Sequence, residues 1–258
     1  MGVRKDRKVV SASEKAWLVG KKPVFDLLKN KSDRIIKLYL LDTEKNQFFD
    51  RDVDIDRSKV QFLNKVDFLK LFEGIENVNH QGFCANINPS NSVSIEQLIR
   101  RSKNSGRGII IGLDQVKDPH NLGSIFRTAE ALGADGLFFG SSQSAPVTST
   151  VRRISVGATE FLPYSEVTNT ANAITKLKKE GYWIYGTSLS DESLDLEKTD
   201  ILFPLVIMFG SEASGLRRLT EDLCDRLVHI NQYGTTESLN VATAVSAVLY
   251  YARSKLNQ

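Results

Sequence analysis

Side chains able to bind or catalyse gather at three places in this chain, each just past an apolar run. The first is Asp114-Gln115-Val116-Lys117-Asp118-Pro119-His120-Asn121-Leu122-Gly123, with Arg127 one turn further on. Asp118 followed by Pro119 reads as an N-cap and first-turn pair, opening a helix that buries Leu122, Ile125, Phe126, Ala129 and Leu132. Arg127 falls off that stripe, where a guanidinium meets either an anion or solvent. The second place is Gly210-Ser211-Glu212-Ala213-Ser214-Gly215, a carboxylate held between glycines. The third, Gly234-Thr235-Thr236-Glu237-Ser238-Leu239-Asn240, precedes a helix with Val241, Val245, Val248, Leu249 and Ala252 on one face. Ser238 or Asn240 caps that helix. Polar groups beside the free N–H donors of a helix N-terminus make a ready site for a small polar molecule. Taken alone, an ordinary αβ turn accounts for the segment equally well.

Several chemistries are excluded. No glycine-rich loop ends in Gly-Lys-Ser/Thr, and Gly106-Arg107-Gly108 precedes a strand where a dinucleotide fingerprint would open a helix. His80, His120 and His229 are scattered, and Cys84 and Cys224 form no CxxC pair, so no metal site is expected and a reducing cytoplasm suits the chain. No apolar run approaches the roughly 20 residues of a membrane span, and no signal core follows the basic Met1 to Lys8 run. Residues 1–90 hold 17 Lys+Arg against 13 Asp+Glu, and residues 91–258 hold 17 against 18. The small positive excess is therefore N-terminal, which suits a polyanion partner and equally a plain solvated surface.

The elements that must carry these residues alternate. In the first 90 residues, a helix is expected over 15–29, strands at 35–41, 60–63 and 83–87, and a helix over 66–72. Residues 91–106, turn-rich and basic with a short helix over 95–99, read as a linker. From 107 to 258, strands at 108–113, 136–139, 182–187, 205–209 and 227–230 alternate with helices over 119–132, 148–157, 169–180 and from 240 onward. That pattern predicts an α/β domain with a parallel sheet covered by helices. The continuous apolar strand 108–113 suits burial on both faces. In such a sheet, ligands gather at the carboxyl ends of strands, where all three polar stretches fall.

Taken in order, the three stretches resemble the signature motifs of the SpoU/TrmH family of RNA ribose 2′-O-methyltransferases, in the SPOUT superfamily. Motif one is Asn121-Leu122-Gly123 with Arg127, motif two is residues 210–215 with Glu212, and motif three runs from Ile230 through Ser238-Leu239-Asn240-Val241. The likeness spans residues 107–258. Gly20 with Val24 and Leu27-Leu28, then His80-Gln81-Gly82-Phe83, resembles the small α/β, ribosomal-protein-like RNA-binding domain of the RlmB-type branch, which modifies large-subunit rRNA.

The resemblance implies a parallel sheet with a deep trefoil knot, a homodimer, and S-adenosyl-L-methionine as cofactor. By position Gly210, Ile230 and Leu239 match cofactor-contacting residues, joined by Thr187 and Ser188 at a neighbouring strand end. Arg127, Asn121, Glu212, Ser238 and Asn240 match the catalytic set. An arginine with a pKa above about 12 is a reluctant base. Arg127 is therefore expected to orient an RNA phosphate and stabilise the developing 2′-alkoxide, with the other four positioning it, the ribose and the loops. Arg152 and Arg153 are expected to grip RNA backbone. The implied substrate is structured RNA, most simply a guanosine of large-subunit rRNA; a tRNA ribose methyltransferase or a non-catalytic RNA-binding assembly factor are the alternatives. Two departures stand out. Asn231-Gln232 replaces the proline and small residue that relatives carry after the isoleucine, and Ala242 replaces a serine. Both bear on the rigidity of the cofactor rim.

Overall fold

The computed structural model describes residues 16–51, 53–73, 78–89, 92–106, 108–236 and 238–256. The basic N-terminal run, Lys15, Arg107 and Glu237 lie outside the described residues. The chain divides into two compact units, residues 1–89 and 90–258.

The first unit holds β1 (Ala16–Val19), α1 (Lys21–Lys31), β2 (Ile35–Leu41), α2 (Lys45–Phe49), β3 (Val60–Leu63), α3 (Lys65–Lys70) and β4 (Phe83–Ile87). Its sheet runs β1-β4-β2-β3, with β2 and β3 parallel and the other pairs antiparallel. Strands β2, β3 and β4 sit where periodicity predicts them, but the helix expected over 15–29 does not. Residues 16–19 are instead an edge strand paired with β4, and helix begins only at Lys21. Gly20 is the cause. Its φ of 107° suits glycine and few other residues, and it turns the chain out of the strand. Gly20 N–H donates to the Phe83 carbonyl at 3.0 Å, and Lys21 N–H donates to Gln81 Oε1 at 3.1 Å. The two N-terminal patches singled out in the sequence thus meet in one junction.

The second unit begins with α4 (Ile95–Ser105), opened by a capping box between Ser94 and Gln97. This corrects the linker expectation for 91–106. The helix runs six residues beyond Ile99, and Ile95, Leu98 and Ile99 are buried in the unit's core. There follow β5 (Ile109–Leu113), α5 (Pro119–Ala131), β6 (Gly136–Gly140), α6 (Ser149–Ile154), β7 (Tyr164–Val167), α7 (Thr170–Lys179), β8 (Trp183–Thr187), β9 (Leu194–Asp195), β10 (Leu205–Phe209), α8 (Arg218–Asp222), β11 (Arg226–His229) and α9 (Val241–Leu256). All seven strands are parallel, in the order β7-β6-β5-β10-β8-β11-β9.

β5 shows why its run is uninterrupted by polar residues. Ile109, Ile111 and Leu113 share a core with α5 and α9, while Ile110 faces the α4 and α7 side. On α9 the predicted stripe is buried, with Val245, Leu249 and Ala252 fully inaccessible. Gly123 lets α5 approach α6, since a Cβ there would lie 2.7 Å from Ile154 Cβ. The central strands β5, β10, β8 and β11 end side by side at Leu113, Phe209, Thr187 and His229. Their carboxyl ends carry the three polar stretches.

Candidate functional site

The loop after β10 is folded by its own residues. Ser211 and Gly215 exchange backbone hydrogen bonds of 3.0 and 2.9 Å, and Ser211 Oγ lies 2.8 Å from Ser214 Oγ. The returning chain lies so close that a Cβ on Gly210 would sit inside the Gly215 carbonyl. Gly210 is therefore required by packing, and Gly215, with φ 64°, by conformation. The far end of the loop is anchored on Asp114, a buried carboxylate just past β5. It accepts from Arg217 Nε at 2.8 Å, Arg217 N–H at 3.1 Å and Thr220 Oγ1 at 2.7 Å. This anchor escaped the sequence reading, although a charged residue closing an apolar strand was its visible signal.

Three motif residues close into a ring. Asp118 caps α5 by accepting from His120 N–H at 2.9 Å, which sets Asn121 on the first turn. Asn240 caps α9, its Oδ1 accepting from Ala242 N–H at 2.9 Å and Thr243 N–H at 3.3 Å. The Asn240 amide then donates to Asn121 Oδ1 at 2.9 Å and to Glu212 Oε1. Asn121 Nδ2 donates to the same Glu212 oxygen at 3.0 Å. Every hydrogen-bonding position of the Asn240 side chain is used, so its orientation is determined by partners on both sides. Residues 91 and 119 positions from Asn121 are joined by three side-chain bonds.

Beside the ring lies a pocket of about 460 Å³, within the usual range for a small-molecule site. Thr187, Ser188, Gly210, Ile230 and Leu239 all line it, as do Glu212 and Ser238. Asn121 and Asn240 reach its edge through their bonds to Glu212. Arg127 is exposed on α5 and is not among the lining residues. Leu239 and Leu189 line the pocket while 37% and 63% exposed, leaving apolar surface for a ligand to cover. His229 also lines it, with Nδ1 held 2.9 Å from Ser193 Oγ. The neighbouring Asn231 side chain holds the Asp195 carboxyl below the usual range, and Gln232 Nε2 donates to the Ile230 carbonyl at 3.2 Å. The Gln232 side chain therefore braces the rim. Among the described residues, no group of three His, Cys, Asp or Glu side chains could hold a metal ion.

The expectation for Arg152 is overturned. Arg152 is 9% exposed and pairs with the fully buried Glu160, which also accepts from Thr159 Oγ1 at 3.2 Å. A guanidinium committed to a buried carboxylate is unavailable to RNA phosphates. Arg153 is half-buried beside it on α6.

Residues 108–250 match the family model described as the SpoU rRNA methylase family. The chain belongs to that family. A putative TrmH family tRNA/rRNA methyltransferase of Staphylococcus saprophyticus is 34% identical, the alignment covering 95% of this chain and 97% of that protein. The 23S rRNA (guanosine-2′-O-)-methyltransferase RlmB of Pseudomonas syringae is 38% identical over 67% of this chain and 69% of its own. An uncharacterised tRNA/rRNA methyltransferase of Synechocystis is also 38% identical, over 73% of this chain but 49% of its own length. Among solved structures, the SpoU methyltransferase AviRb of Streptomyces viridochromogenes, in complex with AdoMet, superposes with a TM-score of 0.72. It is 24% identical, with 93% of this chain and 90% of that one covered, and shares the fold. In the SpoU family member described here, the matched span includes all three strand ends that surround the pocket.

Proposed function

We propose that this chain is an S-adenosylmethionine-dependent RNA methyltransferase that modifies a ribose 2′-hydroxyl, most specifically of a guanosine in large-subunit rRNA. The observation that carries this reading is the Asn121–Glu212–Asn240 ring at the mouth of a pocket lined by Gly210, Ile230 and Leu239. The pocket suits the cofactor: its volume is adequate, hydroxyl and backbone groups mix with leucine and isoleucine side chains, and among the described residues no lining lysine or arginine opposes a sulfonium. Gly210, Ile230, Leu239, Thr187 and Ser188 would hold it. When bound, the cofactor supplies an electrophilic methyl group.

The protein's own residues handle the nucleophile. Arg127 orients a neighbouring RNA phosphate and stabilises the alkoxide as the 2′-hydroxyl gives up its proton to solvent water. Asn121, Glu212 and Asn240 keep the three loops in register, and Ser238 positions the ribose at the pocket wall. The N-terminal unit captures structured RNA, and α9 pairs two copies, consistent with Tyr250 being 67% exposed on that helix. The knot that the family implies is consistent with α9 packing back against α5 after the chain has passed beyond β8 to β11. Among the described residues no helix is long and apolar enough to cross a membrane, and the reading puts the enzyme in the cytoplasm with its RNA.

The test is incubation of purified protein with labelled S-adenosylmethionine and, separately, purified rRNA and tRNA, followed by digestion to nucleosides. Label in 2′-O-methylguanosine from rRNA is expected. Label in tRNA alone moves the substrate, and label in neither leaves an RNA-binding factor. Arg127→Ala should lose transfer while cofactor binding survives; near-normal transfer would remove Arg127 from the mechanism.

A further inference from the structure

Two segments distant in sequence meet at one wall of the pocket. Ser188, Leu189 and Ser190 follow β8, and His229, Ile230 and Gln232 lie at the end of β11 or just beyond it. The strap after β8 is tied to the end of β11. Ser188 N–H donates to the Val228 carbonyl at 3.1 Å, and Leu194 and Asp195 pair with Val228 and His229. Within the strap, Ser193 donates to the Ser190 carbonyl twice, through N–H at 3.0 Å and through Oγ at 2.6 Å. The same Ser193 Oγ lies 2.9 Å from His229 Nδ1.

The last two contacts fix which nitrogen of the imidazole carries hydrogen. A hydroxyl has one proton, and a carbonyl oxygen can only accept. The Ser193 hydroxyl proton is therefore spent on Ser190, and its oxygen meets His229 as an acceptor. His229 Nδ1 is then the donor, which in the neutral ring leaves Nε2 with a free lone pair. His229 lines the pocket, and no described residue engages Nε2.

We infer that His229 Nε2 is a hydrogen-bond acceptor for S-adenosylmethionine, taking an N–H or O–H of the cofactor. Ser193 is then the positioning residue that keeps Nε2 unprotonated, an inference that rests on the pocket being the cofactor site. The α-ammonium, the adenine amine and the ribose hydroxyls of the cofactor are all donors. The other tautomer would present N–H to the pocket and select an acceptor, so the Ser193 contact sets the sense of the bond.

Nitrogen NMR of the isotopically labelled full chain at about pH 8 reads the tautomer directly. His80 and His120 are the other two histidines, so the signals lost in His229→Leu assign the ring. Hydrogen on Nδ1 is expected in the wild type; hydrogen on Nε2 overturns the inference. Calorimetric titration of S-adenosylmethionine measures the consequence for binding. His229→Leu removes the acceptor and should weaken binding about three- to tenfold, the span of one hydrogen bond. His229→Gln, whose amide oxygen can stand in for Nε2, should bind more tightly than His229→Leu. Ser193→Ala keeps the backbone N–H bond to Ser190 but releases the ring. It should weaken binding by the inverse of the Nδ1–H fraction that its own spectrum shows. Wild-type affinity in His229→Leu, a His229→Gln protein no tighter than His229→Leu, or wild-type affinity in a Ser193→Ala protein whose tautomer has shifted overturns the contact alone. A wild-type protein that binds no S-adenosylmethionine overturns the pocket assignment, and the contact with it.

Discussion

Replacing Glu212 by alanine should open the ring that joins the three motif loops. Glu212 Oε1 accepts from Asn121 at 3.0 Å and from Asn240, so the change removes two hydrogen bonds to a charged acceptor. Such bonds contribute about 1.5–3 kcal/mol when shielded, and these are exposed, so about 1 kcal/mol each is the appropriate figure. A loss of about 2 kcal/mol in transition-state positioning corresponds to a roughly 30-fold fall in kcat/KM. Asn121→Ala also breaks two bonds, its own to Glu212 and the one from Asn240. The Asn121–Glu212 bond is common to both variants, so the double variant loses three bonds where the singles sum to four. The two substitutions should therefore couple by about 1 kcal/mol. Folding should change little, because Asn240 keeps its cap bonds to Ala242 and Thr243. Initial rates of label transfer over a range of cofactor concentrations, with an RNA the wild type methylates, give the cycle. A Glu212→Ala rate within about threefold of wild type, or strictly additive effects, would refute the ring as the positioning device.

Three other outcomes follow from the packing. Arg152→Met leaves Glu160 buried without its guanidinium and should cost about 3–5 kcal/mol of stability in urea denaturation; a loss confined to RNA affinity would restore the surface role. Gly210→Ala drives a methyl into the Gly215 carbonyl, which no rotation relieves, and should cost about 1–3 kcal/mol of stability and abolish measurable cofactor binding in calorimetry. Stability should fall in alkali. Burial pushes the Cys224 thiol up to about 12 from 9.0, raises Cys84 as well, and raises Tyr39, Tyr164, Tyr182 and Tyr185 above 10.0. The unfolded chain thus releases these protons first, so their stabilising effect is complete below pH 9.0 and lost as the pH rises towards 12. A denaturation midpoint that holds constant through that window would contradict the burial of these groups.

The strands were the most legible part of the chain. β2, β3, β4 and β10 fall on the expected residues because uninterrupted or alternating apolar runs leave little other option. The first helix was misread at its start because residues 16–19 are apolar in either conformation. Their choice of strand depends on pairing with Cys84 to Ile87, more than sixty residues away. The 91–106 segment misled for a related reason. Its polar, basic face is what an amphipathic helix shows to solvent, while Ile95, Leu98 and Ile99 gain their partners only in the folded core.

At the site, residue types and spacing single out the stretches that hold Asn121, Glu212 and Asn240, while Gly210, Ile230 and Leu239 are nominated only by the resemblance to the SpoU/TrmH motifs. Caps and glycines act over a few residues, so local sequence records them. Distance along the chain conceals everything else. That Glu212 receives both asparagines and that Asp114 anchors the loop through Arg217 are products of strand order. β10 lies between β5 and β8, and that arrangement brings the ends of β8, β10 and β11 to one pocket while Asn121, beyond β5, reaches Glu212 at its edge. Local propensity chooses the elements; burial of both sheet faces decides which ends meet.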